Sequence, residues 1–196
     1  MAPRRKTKVA RRRDSGSDQI SLEEALVWLE KRGTKKNIQD LDRYGISASH
    51  AFGVTVGDTK KFSKQVGKSH ALALELWASG WYEARLLAGF VDEPEKVTVQ
   101  QMNQWADDFD NWAIVDSVCF HLFDQTKHAW KRLGPWSKAK GEFKKRAAFA
   151  LLWSLSVHDK EASDKASSRK EPLTNAISSR KPSTWRSARS ERGMLP

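Results

Sequence analysis

Two side chains four residues apart, Trp112 and Asp116, have the types and spacing that chemistry would need. Asn111 is suited to cap a helix, because its side-chain oxygen can accept a hydrogen bond from the first free amides. In a helix that begins there, Trp112 and Asp116 share one face, and an aromatic plane lies beside a carboxylate. Such a pair can hold a flat or cationic group and stabilise positive charge. The alternative is a structural pair, with Trp112 half in the core and Asp116 stabilised by the helix N-terminus.

The composition predicts a globular chain of one domain, because 196 residues with 39% hydrophobic and 30% charged content can build a core. The sequence contains no run of about 18 apolar residues, so it predicts no membrane span. The basic N-terminus lacks the apolar segment of a signal peptide. Cys119 is the only cysteine, which fits a reducing cytoplasm. The histidines show no ligand spacing with each other or with Cys119, so we expect no metal and no cofactor. We expect a cytoplasmic monomer.

The net charge of +11 suggests a polyanionic partner. Residues 1–18 and 166–196 each carry a net charge of +5, so the body between them is close to neutral. Basic tails are usually solvated arms that add salt-dependent, non-specific affinity. A basic cluster over residues 127–146 is therefore the more informative candidate surface. Its members are Lys127, Lys131, Arg132, Lys138, Lys140, Lys144, Lys145 and Arg146.

The first third of the chain is predicted to form short helices with clear boundaries. A capping box at Ser21 opens the first predicted helix, which stops at Gly33. The next predicted helix covers residues 34–43. A connector over 51–57 then precedes a short helix that we expect Asp58 to cap.

Helix pairs recur from Ser69 onwards, and no strand-like alternation competes with them. The predicted pairs are 70–77 with 82–92, 98–109 with 112–124, and 128–136 with 142–157. Each first helix ends near a tryptophan, at Trp77, Trp105 and Trp136. Each second helix carries a polar residue at a related place, Arg85, Asp116 and Arg146, at steps of 31 and 30 residues. Such a recurrence indicates a HEAT-like α-solenoid, with these residues in register along one concave face. The alternative is that they are ordinary exposed residues.

Four segments carry a family resemblance: 73–77, 82–88, 109–116 and 143–152. They resemble the DNA alkylation repair enzymes of the AlkD type, which are HEAT-like alkylpurine DNA glycosylases. The likeness covers roughly residues 19–165. It implies a protein that associates with the bacterial nucleoid when it acts on DNA. It implies an all-α HEAT-like helical-repeat solenoid with a concave groove that binds alkylated duplex DNA. It also implies release of N3- or N7-alkylated purines by hydrolysis of the glycosidic bond, without flipping of the base out of the duplex.

The resemblance also implies roles for three side chains. Asp116 would stabilise the positive charge that develops on the sugar and help to place water. Trp112 would contact the deoxyribose of the lesion, and Arg146 would bind a backbone phosphate. A cationic leaving group needs little help from an acid, so a single carboxylate is chemically sufficient. For Arg146 the alternative is a solvated surface charge.

Three further cations, Lys144, Lys145 and Arg85, are candidates for contacts with the DNA backbone. Lys144 and Lys145 precede Arg146 on the same predicted helix. Arg85 has an alternative, because it could form a salt bridge with Glu83 or Asp92.

The helical pattern ends near residue 165, and we expect residues 1–18 and 166–196 to be disordered and basic. The resemblance implies a further helix pair here, which residues 166–196 do not supply, and Trp185 is not a substitute for its aromatic residue. Loss of one base near codon 167 would produce such a tail, because a neighbouring reading frame can encode a helix-like apolar period. The gene sequence tests this hypothesis. A second frame with stop codons or no apolar period would contradict it.

Two other functions stay open. One is a non-catalytic DNA-binding module, in which Trp112 and Asp116 are inert. The other is a protein-binding scaffold, a common use of HEAT-like stacks. Salt-sensitive DNA affinity separates the scaffold from the DNA-binding functions, and base release separates the glycosylase from the simple DNA binder.

Overall fold

Nine α-helices and one 3₁₀ turn make up the regular structure of residues 19–46 and 50–158, which are the residues that the computed structural model describes. These residues contain no strand. The helices are α1 (Leu22–Arg32), α2 (Lys35–Arg43), α3 (Val56–Val66), α4 (His70–Ala78), α5 (Tyr82–Val91), α6 (Val99–Asp107), α7 (Trp112–His121), α8 (Ala129–Ser137) and α9 (Glu142–His158). The all-α fold predicted from the sequence is confirmed. The 3₁₀ turn, Phe123–Gln125, follows α7, which is shorter than predicted because Leu122 leaves helical geometry with φ −136° and ψ −59°.

Side-chain caps set the starts of the early helices. Ser21 accepts a hydrogen bond from the Glu24 amide at 3.2 Å and donates its own amide to Glu24 at 2.8 Å, which completes the predicted capping box. The prediction that Asp58 caps α3 was wrong. Thr55 is the N-cap, since its hydroxyl oxygen accepts from the Asp58 amide at 3.1 Å, and Asp58 lies inside the first turn. Threonine is a competent cap, so the connector ends one turn earlier than expected.

Helix α5 lies at the centre of the fold and packs against α1, α3, α4 and α7. All of its residues except Arg85 are buried. Gly89 allows the closest approach to α7, because a Cβ atom there would lie 3.2 Å from a methyl group of Val118. This contact places α7, the helix that carries Trp112 and Asp116, directly against the core.

The tryptophans at the ends of the predicted first helices are packing residues. The rings of Trp77 and Trp105 stack with centroids 4.0 Å apart and planes within 2°. The ring of Phe123 lies 6.2 Å from that of Trp105 and 5.9 Å from that of Trp136. These four rings, the aromatic column, therefore run through the core from α4 to α8.

A buried carboxylate holds the connector between α2 and α3. Glu83 on α5 is fully buried and accepts the amides of Phe52, Gly53 and Val54 at 2.9, 2.7 and 3.0 Å. Gly53 in turn receives the Thr34 amide at 3.1 Å. Gly53 has φ +83°, and a Cβ atom there would lie 2.2 Å from the Thr34 carbonyl oxygen. The connector can therefore follow this path only with glycine at that position.

The described residues up to Ser154 form one compact unit, and a second begins at Leu155. Of the second unit the structure describes only the end of α9. The predictions for residues 1–18 and 166–196, including Trp185, lie outside the described residues. Within the described residues no helix is both long and apolar enough to span a membrane.

Candidate functional site

The start of α7 follows the sequence prediction. Asn111 is the N-cap, and its side-chain oxygen accepts the Ile114 amide at 3.0 Å. Ile114 and Val115 point into the core and are almost completely buried. Trp112 is 39% exposed, and the Asp116 side chain is 28% exposed. The capped helix therefore turns its apolar side inward and leaves Trp112 and Asp116 accessible to a ligand.

A two-point ion pair joins Asp116 to Arg146 on α9. Arg146 Nε donates to Asp116 Oδ1 at 3.0 Å, and Arg146 Nη2 donates to Asp116 Oδ2 at 2.7 Å. This hydrogen bonding raises the pKa of the Arg146 guanidinium. Both carboxylate oxygens are thus engaged by one planar cation, in the fork geometry that binds carboxylates best. The alternative in which Arg146 is only a solvated charge does not describe this arrangement.

The Trp112 ring is fixed from two sides. Its indole N–H donates to the backbone carbonyl oxygen of Tyr44 at 3.1 Å. The guanidinium carbon of Arg146 lies 5.9 Å from the Trp112 ring centroid. Trp112, Asp116 and Arg146 therefore form one cluster, called here the Trp–Asp–Arg cluster, and Tyr44 orients its aromatic member.

Tyr44 is a site residue that the sequence analysis missed. It follows the last residue of α2, and 68 positions separate it from Trp112. It contributes a backbone carbonyl, which every residue type has, so no residue pattern could have identified it. Tyr44 as a whole is 67% exposed.

The two predicted lysines, Lys144 and Lys145, differ in their surroundings. Lys144 Nζ forms an ion pair with Asp107 Oδ1 at 2.6 Å, so it is directed to the end of α6. Lys145 is exposed on α9, beside Arg146. Lys144 and Lys145 immediately precede Arg146 on α9 and remain candidates for contacts with phosphate.

Arg85 is directed to the loop before α7. Its Nη1 donates to the backbone oxygen of Asp108 at 3.2 Å and lies 3.5 Å from Asp110 Oδ2. The predicted alternative partners were wrong, because Glu83 binds the connector amides and Asp92 accepts a hydrogen bond from Gln101 at 2.6 Å. The Arg85 side chain is 16% exposed, which leaves little surface for a ligand.

Part of the basic cluster over residues 127–146 lines a cleft of about 650 Å³ between α6, α8 and the start of α9. Arg132, Lys140 and Lys144 contribute positive charge to it. Asp107 and Glu142 line it as well, so the charges in this cleft largely balance. The cleft therefore attracts an anion less strongly than the lysine count in the sequence suggests.

Cys119, on the buried side of α7, has no surface for chemistry. It is fully buried, and burial together with the negative charge of Asp116 raises the pKa of its thiol well above the ordinary value. A neutral buried thiol is a poor nucleophile. Among the residues that the structure describes, no group of three or more His, Cys, Asp or Glu side chains could hold a metal ion.

Residues 26–175 match the family model described as DNA alkylation repair enzyme. The chain belongs to this family. The matched residues include the whole Trp–Asp–Arg cluster and the three predicted helix pairs. The resemblance predicted from the sequence is therefore confirmed.

A solved structure supports the HEAT-like fold for this chain. It is described as a new family of proteins related to the HEAT-like repeat DNA glycosylases with affinity for branched DNA structures. The TM-score is 0.68 at 22% sequence identity, and the match covers 76% of this chain and 64% of that chain. The present chain thus spans less than two thirds of the length of that protein. The predicted HEAT-like fold class is confirmed, and no curated protein matches the chain.

Proposed function

We propose that this protein binds duplex DNA and releases N3- or N7-alkylated purines by hydrolysis of the glycosidic bond. The observation that carries the proposal is the accessible face of α7, where Trp112 and Asp116 lie together in a member of the DNA alkylation repair enzyme family. An aromatic plane beside a carboxylate suits a site that must contact a sugar and stabilise positive charge on it.

Asp116 and Trp112 have different roles in the proposed reaction. An alkylated purine carries positive charge, so it leaves as a neutral base without protonation. As the glycosidic bond breaks, positive charge passes to the deoxyribose, where the Asp116 carboxylate stabilises it and orients the attacking water. Trp112 supports the sugar through the face of its ring, which its hydrogen bond to the Tyr44 carbonyl holds in place. Hydrolysis returns a proton to solvent and leaves a hydroxyl on the sugar.

Binding of the duplex is assigned to cations on α9. Lys144, Lys145 and Arg146 are consecutive in the sequence and would contact backbone phosphates in a concave groove. Arg85 is better explained as a structural residue, since its guanidinium donates a hydrogen bond to the backbone oxygen of Asp108 and forms an ion pair with Asp110. Such phosphate contacts make the affinity for DNA fall steeply as salt is added.

A second candidate function is DNA binding without base release. The solved structure with the same fold is described as having affinity for branched DNA structures, and this observation favours the second candidate. In that case the Trp–Asp–Arg cluster would contact DNA but perform no hydrolysis. Competition between branched and linear duplexes of equal length would reveal a preference for branches.

Release of methylated purines from methylated duplex DNA tests the first proposal. We expect Asp116→Asn to reduce the release rate by at least about tenfold, because it removes the charge that stabilises the transition state. Asp107→Asn is the matched control, since it also removes a carboxylate that is paired with α9, and it should retain the parent rate. Equal rates for the parent and Asp116→Asn would contradict the role of Asp116. DNA binding without base release by the parent would favour the second candidate.

A further inference from the structure

Arg146 of the Trp–Asp–Arg cluster resembles a cationic alkylated nucleotide in shape and charge. Its guanidinium is flat and carries a delocalised positive charge. It engages both oxygens of Asp116, at 3.0 and 2.7 Å, and lies 5.9 Å from the centroid of the Trp112 ring. A carboxylate and an aromatic face are the two elements to which the proposed function assigns recognition of the charged sugar. Arg146 therefore occupies both of them in the protein alone.

The ion pair between Arg146 and Asp116 reduces the electrostatic repulsion that DNA would meet at this face. An unpaired Asp116 would repel the phosphates of any duplex, because like charges at close range raise the free energy of the complex. Pairing with Arg146 makes the face of α7 neutral before DNA arrives. The pair is partly exposed, with 45% of the Arg146 side chain and 28% of the Asp116 side chain accessible. A pair with this exposure is weak enough to open when another cation competes for the carboxylate.

We propose that Arg146 is a resident counter-ion of Asp116, which stays in place on undamaged DNA and gives way to a nucleotide that carries positive charge. The inference rests on the proposed function of Asp116 and adds a specificity role to Arg146. On undamaged duplex the Asp116–Arg146 pair stays closed, and the phosphate contact that the proposed function assigns to Arg146 forms only when a charged lesion is bound. A charged lesion takes the carboxylate, and the guanidinium turns to a solvent-exposed phosphate, which replaces only part of the two-point ion pair with Asp116. Charge at the site is thus conserved through the exchange.

Two synthetic duplexes isolate this exchange from catalysis. Both contain an analogue of the deoxyribose without a base. In one the analogue is a pyrrolidine, which is cationic at neutral pH, and in the other it is a tetrahydrofuran, which is neutral. The quantity measured is the ratio of the two dissociation constants for the full 196-residue chain. Loss of a phosphate contact that forms in both complexes weakens binding of the two duplexes equally, so this effect cancels in the ratio.

Three variants give distinct expectations for the preference for the cationic duplex. Arg146→Met removes the competitor, so the preference should rise by about three- to tenfold, the scale expected for a partly exposed two-point ion pair. Arg146→Lys should lie between the parent and Arg146→Met, since one ammonium group replaces the two-point fork less well. Asp116→Asn should reduce the preference to about one, because the group that attracts the cation is gone.

Lys144→Met is the matched control. Lys144 is on the same helix as Arg146 and is also in an ion pair, with Asp107 at 2.6 Å. Its loss should weaken binding to both duplexes equally and leave the preference for the cationic duplex unchanged. An unchanged preference in Arg146→Met, with Asp116→Asn still at about one, would overturn the counter-ion role. A rise of the same size in Lys144→Met would overturn it too, because the effect would then be one of general charge.

The test separates this inference from the proposed function. The binding ratio can rise in Arg146→Met even if the parent releases no base, in which case the exchange stands and the glycosylase proposal fails. Conversely, a parent that releases methylated purines but shows the same ratio as Arg146→Met would retain its proposed function and lose the exchange. A second measurement observes the pair directly: the ¹⁵N resonance of Arg146 Nε–H should shift on the cationic duplex and remain on the neutral one.

Discussion

Replacement of Glu83 by glutamine should destabilise the fold strongly, although the two side chains have nearly the same volume. Glu83 is fully buried and accepts three backbone amides from the connector, at 2.7 to 3.0 Å. In Glu83→Gln one carboxylate oxygen becomes an NH₂ group, which opposes an amide donor instead of accepting from it. One charge-assisted hydrogen bond is lost, at about 1.5–3 kcal/mol, and the other two weaken to neutral bonds. The smaller desolvation cost of an amide offsets part of this, which leaves a net loss of about 3 kcal/mol.

Thermal unfolding followed by circular dichroism measures this loss. About 3 kcal/mol corresponds to a fall of roughly 6–12 °C in Tm for a domain of this size. Glu75→Gln is the control, because Glu75 is an exposed glutamate on the adjacent α4, and its Tm should stay within about 2 °C of the parent. If Glu83→Gln melts together with Glu75→Gln, the three amide bonds do not hold the connector as described.

Two further predictions concern the same region of the fold. Gly53→Ala should cost about 2–4 kcal/mol in urea unfolding, because φ is +83° and the new Cβ would meet the Thr34 carbonyl oxygen. Gly57→Ala on α3 should be neutral or slightly stabilising, because its Cβ would meet only the Thr55 hydroxyl oxygen at 3.9 Å, an ordinary van der Waals contact. Equal urea midpoints for the two variants would contradict the close approach at Gly53. Burial raises the pKa of Tyr82 to about 12, so the stability that its neutral form contributes is complete below the ordinary tyrosine pKa of about 10 and is lost as pH rises towards 12. Tyr82→Phe should be less sensitive to pH in this window by about 2–3 kcal/mol, and a parent and variant with parallel pH profiles would refute the assignment.

The sequence predicts those parts of the fold that depend on near neighbours. Ser21 and Asn111 cap helices because their partners lie three residues away, and such caps are visible in the sequence. Trp112 and Asp116 share an accessible face for the same local reason. Asp58 was misassigned because a threonine and an aspartate three residues apart can each serve as a cap, and only the backbone geometry distinguishes them.

Pairings between residues that are distant along the chain could not be predicted from the sequence. The helical period places Arg146 and Asp116 on successive second helices, but it does not specify that they pair through two hydrogen bonds. The hydrogen bond from Trp112 to the Tyr44 carbonyl depends on where α2 ends relative to α7. Arg85 was assigned the wrong partners because Glu83, its sequence neighbour, is already used by the connector. Competition for partners is a property of the assembled fold, and a single sequence does not record it.

The aromatic column also bears on how the molecule comes apart. In a helical repeat each unit contacts only its neighbours, so unfolding can begin at one end and proceed unit by unit. The rings of Trp77, Trp105, Phe123 and Trp136 connect α4, α6 and α8 at successive centroid distances of 4.0, 6.2 and 5.9 Å. Removal of any one ring exposes the next, which raises the free energy of every partly frayed state. The column therefore couples α4, α6 and α8, so that loosening one of these helices raises the free energy of its neighbours in the column.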